Sequence, residues 1–358
     1  MKNLLKSKLG FAPPGVGPIG LDFGNEHLNL MQMELRGSEV CIRAANTVPF
    51  DSDRNELLNS PAKIRSLINR CISKRGFSGK HIVANVPYDE NLKLVNHNYR
   101  KKPDQNTDEA IIESLKERFG DELNNVIVDY IPIRQHISDA SDNSALVALA
   151  KRDYVVSFLN LLHDAGMKVD ALDVGPAALT RLVSSLNHTG SHSNVLVINI
   201  GKTKSYISVV WGRRLILDRG IDFGEDILID ILSNTLDMGY YETLQFLTEQ
   251  GFNNLDEKTS QILNFAFKEL VEEVNKTLIF TASRTHGASV ERVFLLGGVI
   301  RFPSVDSWLE KIISVRIDIL SPFTFFSFID NQTADNPLLP VNCAIAAGLA
   351  LRGISTDV

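Results

Sequence analysis

Long apolar runs are missing from this chain. No window of roughly 18 uninterrupted apolar residues occurs in its 358 residues, so a membrane-crossing helix is not expected. Cysteine is scarce. Cys41, Cys71 and Cys343 are odd in number and far apart, which argues against a disulfide framework and for reduced, mostly buried small hydrophobes. Positive charge is not in excess either. The net charge is −6 and no basic stripe runs along the chain, so no nucleic-acid partner is expected. The first apolar stretch, "MKNLLKSKLGF", is short and broken by Lys2, Lys6 and Lys8. It gives no secretory signal, and residues 1–17 read as a flexible, solvated N-terminus. Histidines do not cluster with other ligands. His188 and His192 sit in "NHTGSHSN", which reads as a linker rather than a metal site.

What the sequence does have is globular composition, with 44% hydrophobic and 22% charged residues and length for two cores. Strands are expected at 18–23, 27–35 and 39–48, with "LRGS" turning between the last two. "NSPAKIRSLINRCISKRG" reads as a helix with Ser60 as cap, Pro61 in the first turn and Gly76 beyond its end. Its Ile64, Leu67, Ile68, Cys71 and Ile72 form one apolar stripe. "HIVANVP" follows as a strand. Residues 88–150 read as a smaller α+β insert, with a helix at "NTDEAIIESLKERFG" capped by Asn106 or Thr107 and strands at "NNVIVDYIPIRQ" and "SALVALAKR", on either side of the polar loop "HISDASDNS". A helix "DYVVSFLNLLHDAG", a strand "KVDALDV" and a helix "PAALTRLVSSL" complete the first domain, 18–190.

After the linker the pattern restarts. "VLVINIGKTKSYISVVWGRRLILDRG" is strand, glycine turn, strand, tight turn at Gly212, strand, and it repeats the opening hairpin. Asp22-Phe23-Gly24 lies over Asn199-Ile200-Gly201. The duplication implies an α/β fold of two similar domains, the second spanning 191–358 with a helical subdomain at about 225–270.

A glycine in such a turn lets backbone N–H groups approach a phosphate, and a preceding carboxylate can hold a divalent cation through water. One Asp-x-Gly turn is also an ordinary hairpin turn. Two copies in register make a stronger case for a clamp on a phosphate chain. "VERVFLLGGVIRFPSV" adds a strand ending in Gly297-Gly298, where a flat purine or its phosphates could lie. The plainer reading is a tight strand–helix turn.

The order of these parts resembles the actin-like ATPase superfamily, with a duplicated, ribonuclease H-like two-domain fold. The implied motifs are phosphate-1 at "IGLDFGNEHLNL", phosphate-2 at "LVINIGKTKSYISVV", adenosine at "VFLLGGVIRFP" and the connecting helix at "CAIAAGLALRG". "DFGEDILID" is similar to a Gly-Gly-x-Asp helix start, with Phe223 in place of the first glycine. In "EEVNKTL", Glu273 and Lys276 match a pair that contacts the adenosine in relatives, although on one helix face they are equally an ordinary ion pair. By resemblance the nucleotide-binding residues are Asp22, Gly24, Asn25, Asn199, Gly201, Lys202, Thr203, Glu273, Lys276, Gly297, Gly298 and Val299, with Asp22 also toward the metal. The implied cofactors are ATP and Mg²⁺. The Asp-Phe-Gly triplets at 22–24 and 222–224 do not make a protein kinase, because no His-Arg-Asp loop precedes either.

Within the superfamily the chain resembles the PilM family of type IV pilus assembly proteins, relatives of FtsA, over nearly its whole length. "ALVALAKRDYVVSFLNLLHDAGMKVDALDVGPAALTRL" and "FLLGGVIRFPSVDSWLEKIISVRIDILSPF" carry the likeness, with the insert at the place of the family's 1C subdomain. The resemblance implies a cytoplasmic scaffold, peripheral to the inner membrane. It would bind the N-terminal cytoplasmic peptide of a PilN-like bitopic protein and couple to cytoplasmic motor ATPases. The groove is expected in the 80–135 region with the neighbouring helix at 60–76. Two departures matter. The phosphate-2 aspartate is Asn199, which brings no charge to a cation, and a glutamate of the family pattern is Gly175, which cannot polarise water. ATP binding weakened or absent, with hydrolysis poor or nil, is therefore expected. The alternatives are a type II secretion or mannose-sensitive haemagglutinin pilus component, a sugar kinase with Asp173 as base, and an FtsA-like filament protein. The chain's stop at "LRGISTDV" leaves no amphipathic tail for the last of these.

Overall fold

The computed structural model describes residues 15–73, 75–102, 104–133, 143–186, 194–252, 255–284, 288–329 and 342–354. Residues 1–14, the "HISDASD" part of the polar loop and the "NHTGSHS" part of the linker, with both of its histidines, lie outside them. Thirteen described strands run β1 (Val16–Phe23), β2 (His27–Arg36), β3 (Glu39–Pro49), β4 (His81–Asn85), β5 (Leu92–Tyr99), β6 (Val126–Ile133), β7 (Asn143–Lys151), β8 (Lys168–Asp173), β9 (Asn194–Ile200), β10 (Ser205–Trp211), β11 (Arg214–Ile221), β12 (Val290–Gly297) and β13 (Ile317–Ile319).

The duplication is plain in the sheets. One has the order β3-β2-β1-β4-β8 and another β11-β10-β9-β12-β13. In both, an antiparallel three-stranded meander is extended by two parallel strands beside its first strand. Crossover helices make the parallel additions sterically feasible. Pro61–Ile72 precedes β4, and Val305–Ile313 precedes β13. Asp22 is the penultimate residue of β1, and Asn199 holds the same place in β9.

By contacts the chain divides into two compact units. The first comprises Met1–Asp89, Arg152–Leu182 and Pro322–Val358. Its core joins Ile19, Leu21 and Leu30 of the sheet to Ile64, Leu67 and Ile68 of one helix and Phe158 and Leu162 of another. The helix Pro61–Ile72 starts as the sequence implies, with the Ser60 hydroxyl accepting from Lys63 N. It ends earlier than Gly76 marks, at Ile72, with Ser73 as its cap. The short helix Ala344–Ala350 packs on β1 with almost no separation. A Cβ on Gly20 would stand 2.0 Å from the Ala346 carbonyl oxygen, so only glycine permits this approach.

The second unit comprises Glu90–Lys151 and Val183–Ser321. In chain order the insert separates two segments of the first unit, yet its contacts group it with the second. One reason is a hydrogen bond from Asn96 Nδ2 on β5 to the Asp218 carbonyl on β11, at 2.7 Å. The insert is an antiparallel sheet, β5-β7-β6, covered by the helix Thr107–Phe119. Asn106, not Thr107, caps that helix by accepting from Asp108 N. Ile111 and Leu115 of the helix pack on Val147 and Leu149. The main core of the second unit is larger and rich in aromatic rings. Phe223, Phe267, Phe302 and Phe252 gather in it with Leu228, Val274 and Leu295.

Among the described residues, no helix is long and apolar enough to cross a membrane.

Candidate functional site

In the first unit, the β1–β2 turn closes with Gly24 N donating to His27 O at 3.0 Å. Asn25 is exposed at its tip. Arg54 braces the turn by donating from Nε to Gly24 O at 3.0 Å, with its guanidinium 6.0 Å from the Phe23 ring. Asp22 is buried, and both of its carboxylate oxygens are engaged. Oδ2 accepts from Asn29 Nδ2 at 3.0 Å, and Oδ1 from Asn85 Nδ2 at 3.1 Å. The Asn29 amide oxygen in turn accepts from the Thr47 hydroxyl at 2.5 Å. Burial raises the Asp22 pKa above the ordinary carboxylate value, against the pull of the two amides and Arg54. Asp22 is thus the centre of a buried amide network at the foot of the turn.

Asp173, the one candidate for a general base, is held at the end of β8. Its Oδ2 pairs with Arg181 and Arg352, both at 2.9 Å, and its Oδ1 accepts from Val174 N at 2.9 Å. Both oxygens of this carboxylate are thus engaged by the chain's own donors. Gly175, two residues on, has free space toward Ile345. A Cβ there would make only an ordinary contact at 3.9 Å, so the missing glutamate is not a packing requirement. The three cysteines are free and buried, and burial pushes the Cys71 thiol up to about 12, which makes it chemically inert.

In the second unit, the β9–β10 turn closes with Gly201 N donating to Lys204 O at 3.1 Å. Lys202 is half-buried and Thr203 exposed. Asn199 lies opposite Tyr206 across the ladder, where β1 and β2 oppose Asp22 and Asn29. Position 199 therefore lacks both the charge and the amide partner of its counterpart. The helix Glu225–Leu236 begins directly against the turn. Glu225 N donates to Gly201 O at 3.0 Å and Asp226 N to Lys202 O at 2.9 Å. Two of the N–H groups that a helix start offers to anions are thereby satisfied by the chain itself.

Gly297 closes β12 beside Ile200 with φ of 104°, and a Cβ there would stand 2.0 Å from the Ile200 carbonyl oxygen. Gly298 opens a 3₁₀ turn, Gly298–Arg301. Val299 is fully buried in the core. Glu273 and Lys276 lie on the helix Lys268–Arg284 and form an ion pair at 2.6 Å. Arg219 of β11 joins them at 2.5 Å. Lys276, then Arg219, hold the Glu273 carboxyl below its ordinary range.

The fold thus gathers the phosphate-2 turn, the helix start and the glycine pair into one cluster, and ties the Glu-x-x-Lys pair to β11. Sequence reasoning missed Glu225 and Arg301. They form an ion pair beside Gly298, with the Glu225 side chain 7% exposed. The signal available was an acid at the first helical position after a glycine turn, and an arginine three residues past Gly298. Among the described residues no three His, Cys, Asp or Glu side chains gather into a metal site.

Comparison with known proteins places the chain in a family and among known folds. A family model described as type IV pilus assembly protein PilM matches residues 20–354. The fold is similar to that of a solved structure described as the PilM-PilN type IV pilus biogenesis complex, at 20% identity and TM-score 0.74, over 96% of this chain and 100% of that one. A weaker likeness, at 13% identity and TM-score 0.48, is to ethanolamine utilization protein EutJ from Carboxydothermus hydrogenoformans, over 95% of this chain and 90% of that one. No curated protein matches the sequence. The architecture is the duplicated actin-like α/β fold expected from the sequence.

Proposed function

Because the chain belongs to the family of type IV pilus assembly protein PilM, we propose that it is a scaffold of a pilus assembly platform. It works at the cytoplasmic face of the inner membrane and binds the N-terminal cytoplasmic tail of a PilN-like membrane protein. Cytoplasmic motor ATPases are its further partners. The observation that carries this reading is the family match over residues 20–354, which is almost the whole chain. The likeness to a PilM solved in complex with PilN supports it.

The tail's binding site lies on the insert, in the part of the expected 80–135 region that belongs to the second unit. In the insert, β5 and β6 are both edge strands, and an edge can take up an extended peptide through backbone hydrogen bonds. Alternate side chains of that peptide would then supply the specificity.

ATP and Mg²⁺ are secondary to this role: ATP binding is weakened or absent, and hydrolysis is poor or nil. Asp22, with Gly24 and Asn25, would face nucleotide and cation in one unit. In the second unit, Gly201, Lys202, Thr203, Gly297 and Gly298 would face the phosphates, with Glu273 and Lys276 toward the base. Asn199, Gly175 and the doubly paired Asp173 all weaken the chemistry. Titration of the purified chain with the cytoplasmic tail of a membrane protein encoded beside it tests the partner. Rapid, Mg²⁺-dependent phosphate release that is abolished in Asp22→Ala would contradict the weak-hydrolysis reading.

A further inference from the structure

β3 is an outer strand of the first sheet, and its edge is guarded unevenly. Toward the C-terminal end the guards belong to the strand itself. Pro49 has no N–H to offer, and Thr47 N donates to the Asn46 side chain at 3.0 Å. An irregularity in the pairing at Arg43 breaks the ladder. Toward the N-terminal end the cover comes from far along the chain. Ile42 N donates to Ser327 O at 2.8 Å, and Ile329 N donates to Ile42 O at 3.0 Å. The segment 327–329 thus runs parallel to β3, with Phe328 opposite Ile42. Phe328 stacks on Phe323 at 5.3 Å, and the Ser327 hydroxyl donates to Glu39 at 3.4 Å. All of these residues belong to the first unit.

The stretch beneath this segment reads Glu39-Val40-Cys41-Ile42-Arg43, and it is complementary to itself. Ile42 turns its N–H and C=O outward, and by the alternation of an antiparallel ladder so does Val40. We propose that residues 39–43 are a self-pairing edge for a second copy of this chain, and that the segment 327–329 is the strap that covers it. The second copy lies antiparallel, centred on Cys41. Val40 of each chain then stands against Ile42 of the other and exchanges both backbone bonds with it. Cys41 meets Cys41 of the second copy at a position without backbone bonds, where Cα atoms stand about 4.5 Å apart. Glu39 falls toward Arg43 of the second copy, and the two-fold arrangement repeats this opposite-charge pair. The strap occupies the same Ile42 groups, so the strapped and paired states exclude each other. In the intact chain the strap prevails because it is tethered, which gives it an effective concentration on the order of millimolar. The inference stands on backbone geometry and charge, and does not rest on the nucleotide or the tail-binding reading.

The test is trapping of the pair with diamide, which takes two electrons and two protons from two thiols and leaves one disulfide. Burial, then Glu39, hold the Cys41 thiol above its ordinary value, so the reaction is run at mildly alkaline pH. Three full chains are compared at equal concentration: the unaltered chain, Ile329→Pro, which removes the N–H that bonds Ile42 O, and Phe328→Ala, which removes the stack on Phe323. Thermal melts check each fold, and sedimentation velocity without oxidant reads the same equilibrium. Each strap variant is expected to give at least tenfold more covalent dimer than the unaltered chain, with a matching shift toward the dimer in sedimentation. If Ile329→Pro does not fold, Phe328→Ala decides alone. Cys41→Ser added to Phe328→Ala is expected to abolish the covalent dimer and keep the sedimenting one. Glu39→Arg, at an exposed position, sets like charges opposite each other and is expected to abolish both. Folded strap variants that trap no more dimer than the unaltered chain overturn the proposal. A covalent dimer that persists in Cys41→Ser, or that ignores Glu39→Arg, overturns it as well.

Discussion

Asp22 separates the structural and nucleotide roles of the opening hairpin most sharply, through the pair Asp22→Ala and Asp22→Asn. Alanine leaves the amide hydrogens of Asn29 and Asn85 without their acceptors. Each orphaned buried donor costs about 1–3 kcal/mol, so Asp22→Ala is expected to lose about 2–5 kcal/mol of stability. Asparagine is different. One amide hydrogen must turn toward Asn29 or Asn85. Asn29 cannot rotate its amide without losing the Thr47 hydroxyl bond. Asn85 can, because its Oδ1 is buried with no hydrogen-bond partner. Rotating Asn85 restores both contacts, so Asp22→Asn is expected within about 1 kcal/mol of the unaltered chain.

The pH dependence follows from the same burial. The folded-state pKa of Asp22 lies above the ordinary value of 3.8. Its contribution to stability is therefore fully present below that value and is lost as pH rises through the folded pKa. Asparagine does not ionise, so the stability of Asp22→Asn relative to the unaltered chain should increase between pH 4 and pH 7. Urea unfolding of the three proteins at both pH values, followed by the transition of the first unit, reads this out. If Asp22→Asn is as damaging as Asp22→Ala at pH 7, the network reading is refuted and the charge itself is required.

Three further outcomes are expected. Burial pushes the Asp218 carboxyl up to about 6 despite the Ser208 hydrogen bond, so its stabilising contribution is complete below about pH 4 and lost as pH rises through 6. Asp218→Asn should then be more stable than the unaltered chain at pH 7 by up to about 3 kcal/mol, measured by urea unfolding at pH 4, 6 and 8. Gly20→Ala would place a methyl group 2.0 Å from the Ala346 carbonyl oxygen, and should lower the denaturation midpoint by an amount equivalent to about 3 kcal/mol or more. Asp173→Asn should cost about 1–3 kcal/mol in stability by loosening Arg181 and Arg352, with no change in any slow phosphate release. Loss of turnover at unchanged stability would instead make Asp173 a base.

Much of the fold was legible because it rests on local signals. The period-two strands, the Ser60–Pro61 helix start and the glycine at each hairpin turn are all set by residues within a few positions of one another. The duplication was legible for the same reason, since both copies repeat a strand–turn–strand pattern. What escaped was set at long range. The helix after Pro61 stops at Ile72 although Gly76 looked like its terminator, and Ser73 N still bonds back to Asn69 O. The insert's grouping with the second unit involves contacts such as Asn96 with Asp218, 122 positions away. At the site, the glycines were read as room for a ligand. Gly297 is needed because the chain packs on it, through the Ile200 carbonyl, and Gly298 carries the carboxylate of a residue 73 positions earlier. Cross-strand register made the Asp22–Asn29 pair readable in principle, whereas its second partner, Asn85, comes from a different strand and a distant part of the sequence.

The role proposed for this chain is to hold a partner rather than to turn over ATP. Calorimetric titration with the N-terminal cytoplasmic peptide of the neighbouring PilN-like protein, with and without Mg²⁺-ATP, tests it most directly. Saturable binding of one peptide per chain in both conditions is the expected result. No binding in either condition, alongside brisk ATP hydrolysis by the same preparation, would contradict it.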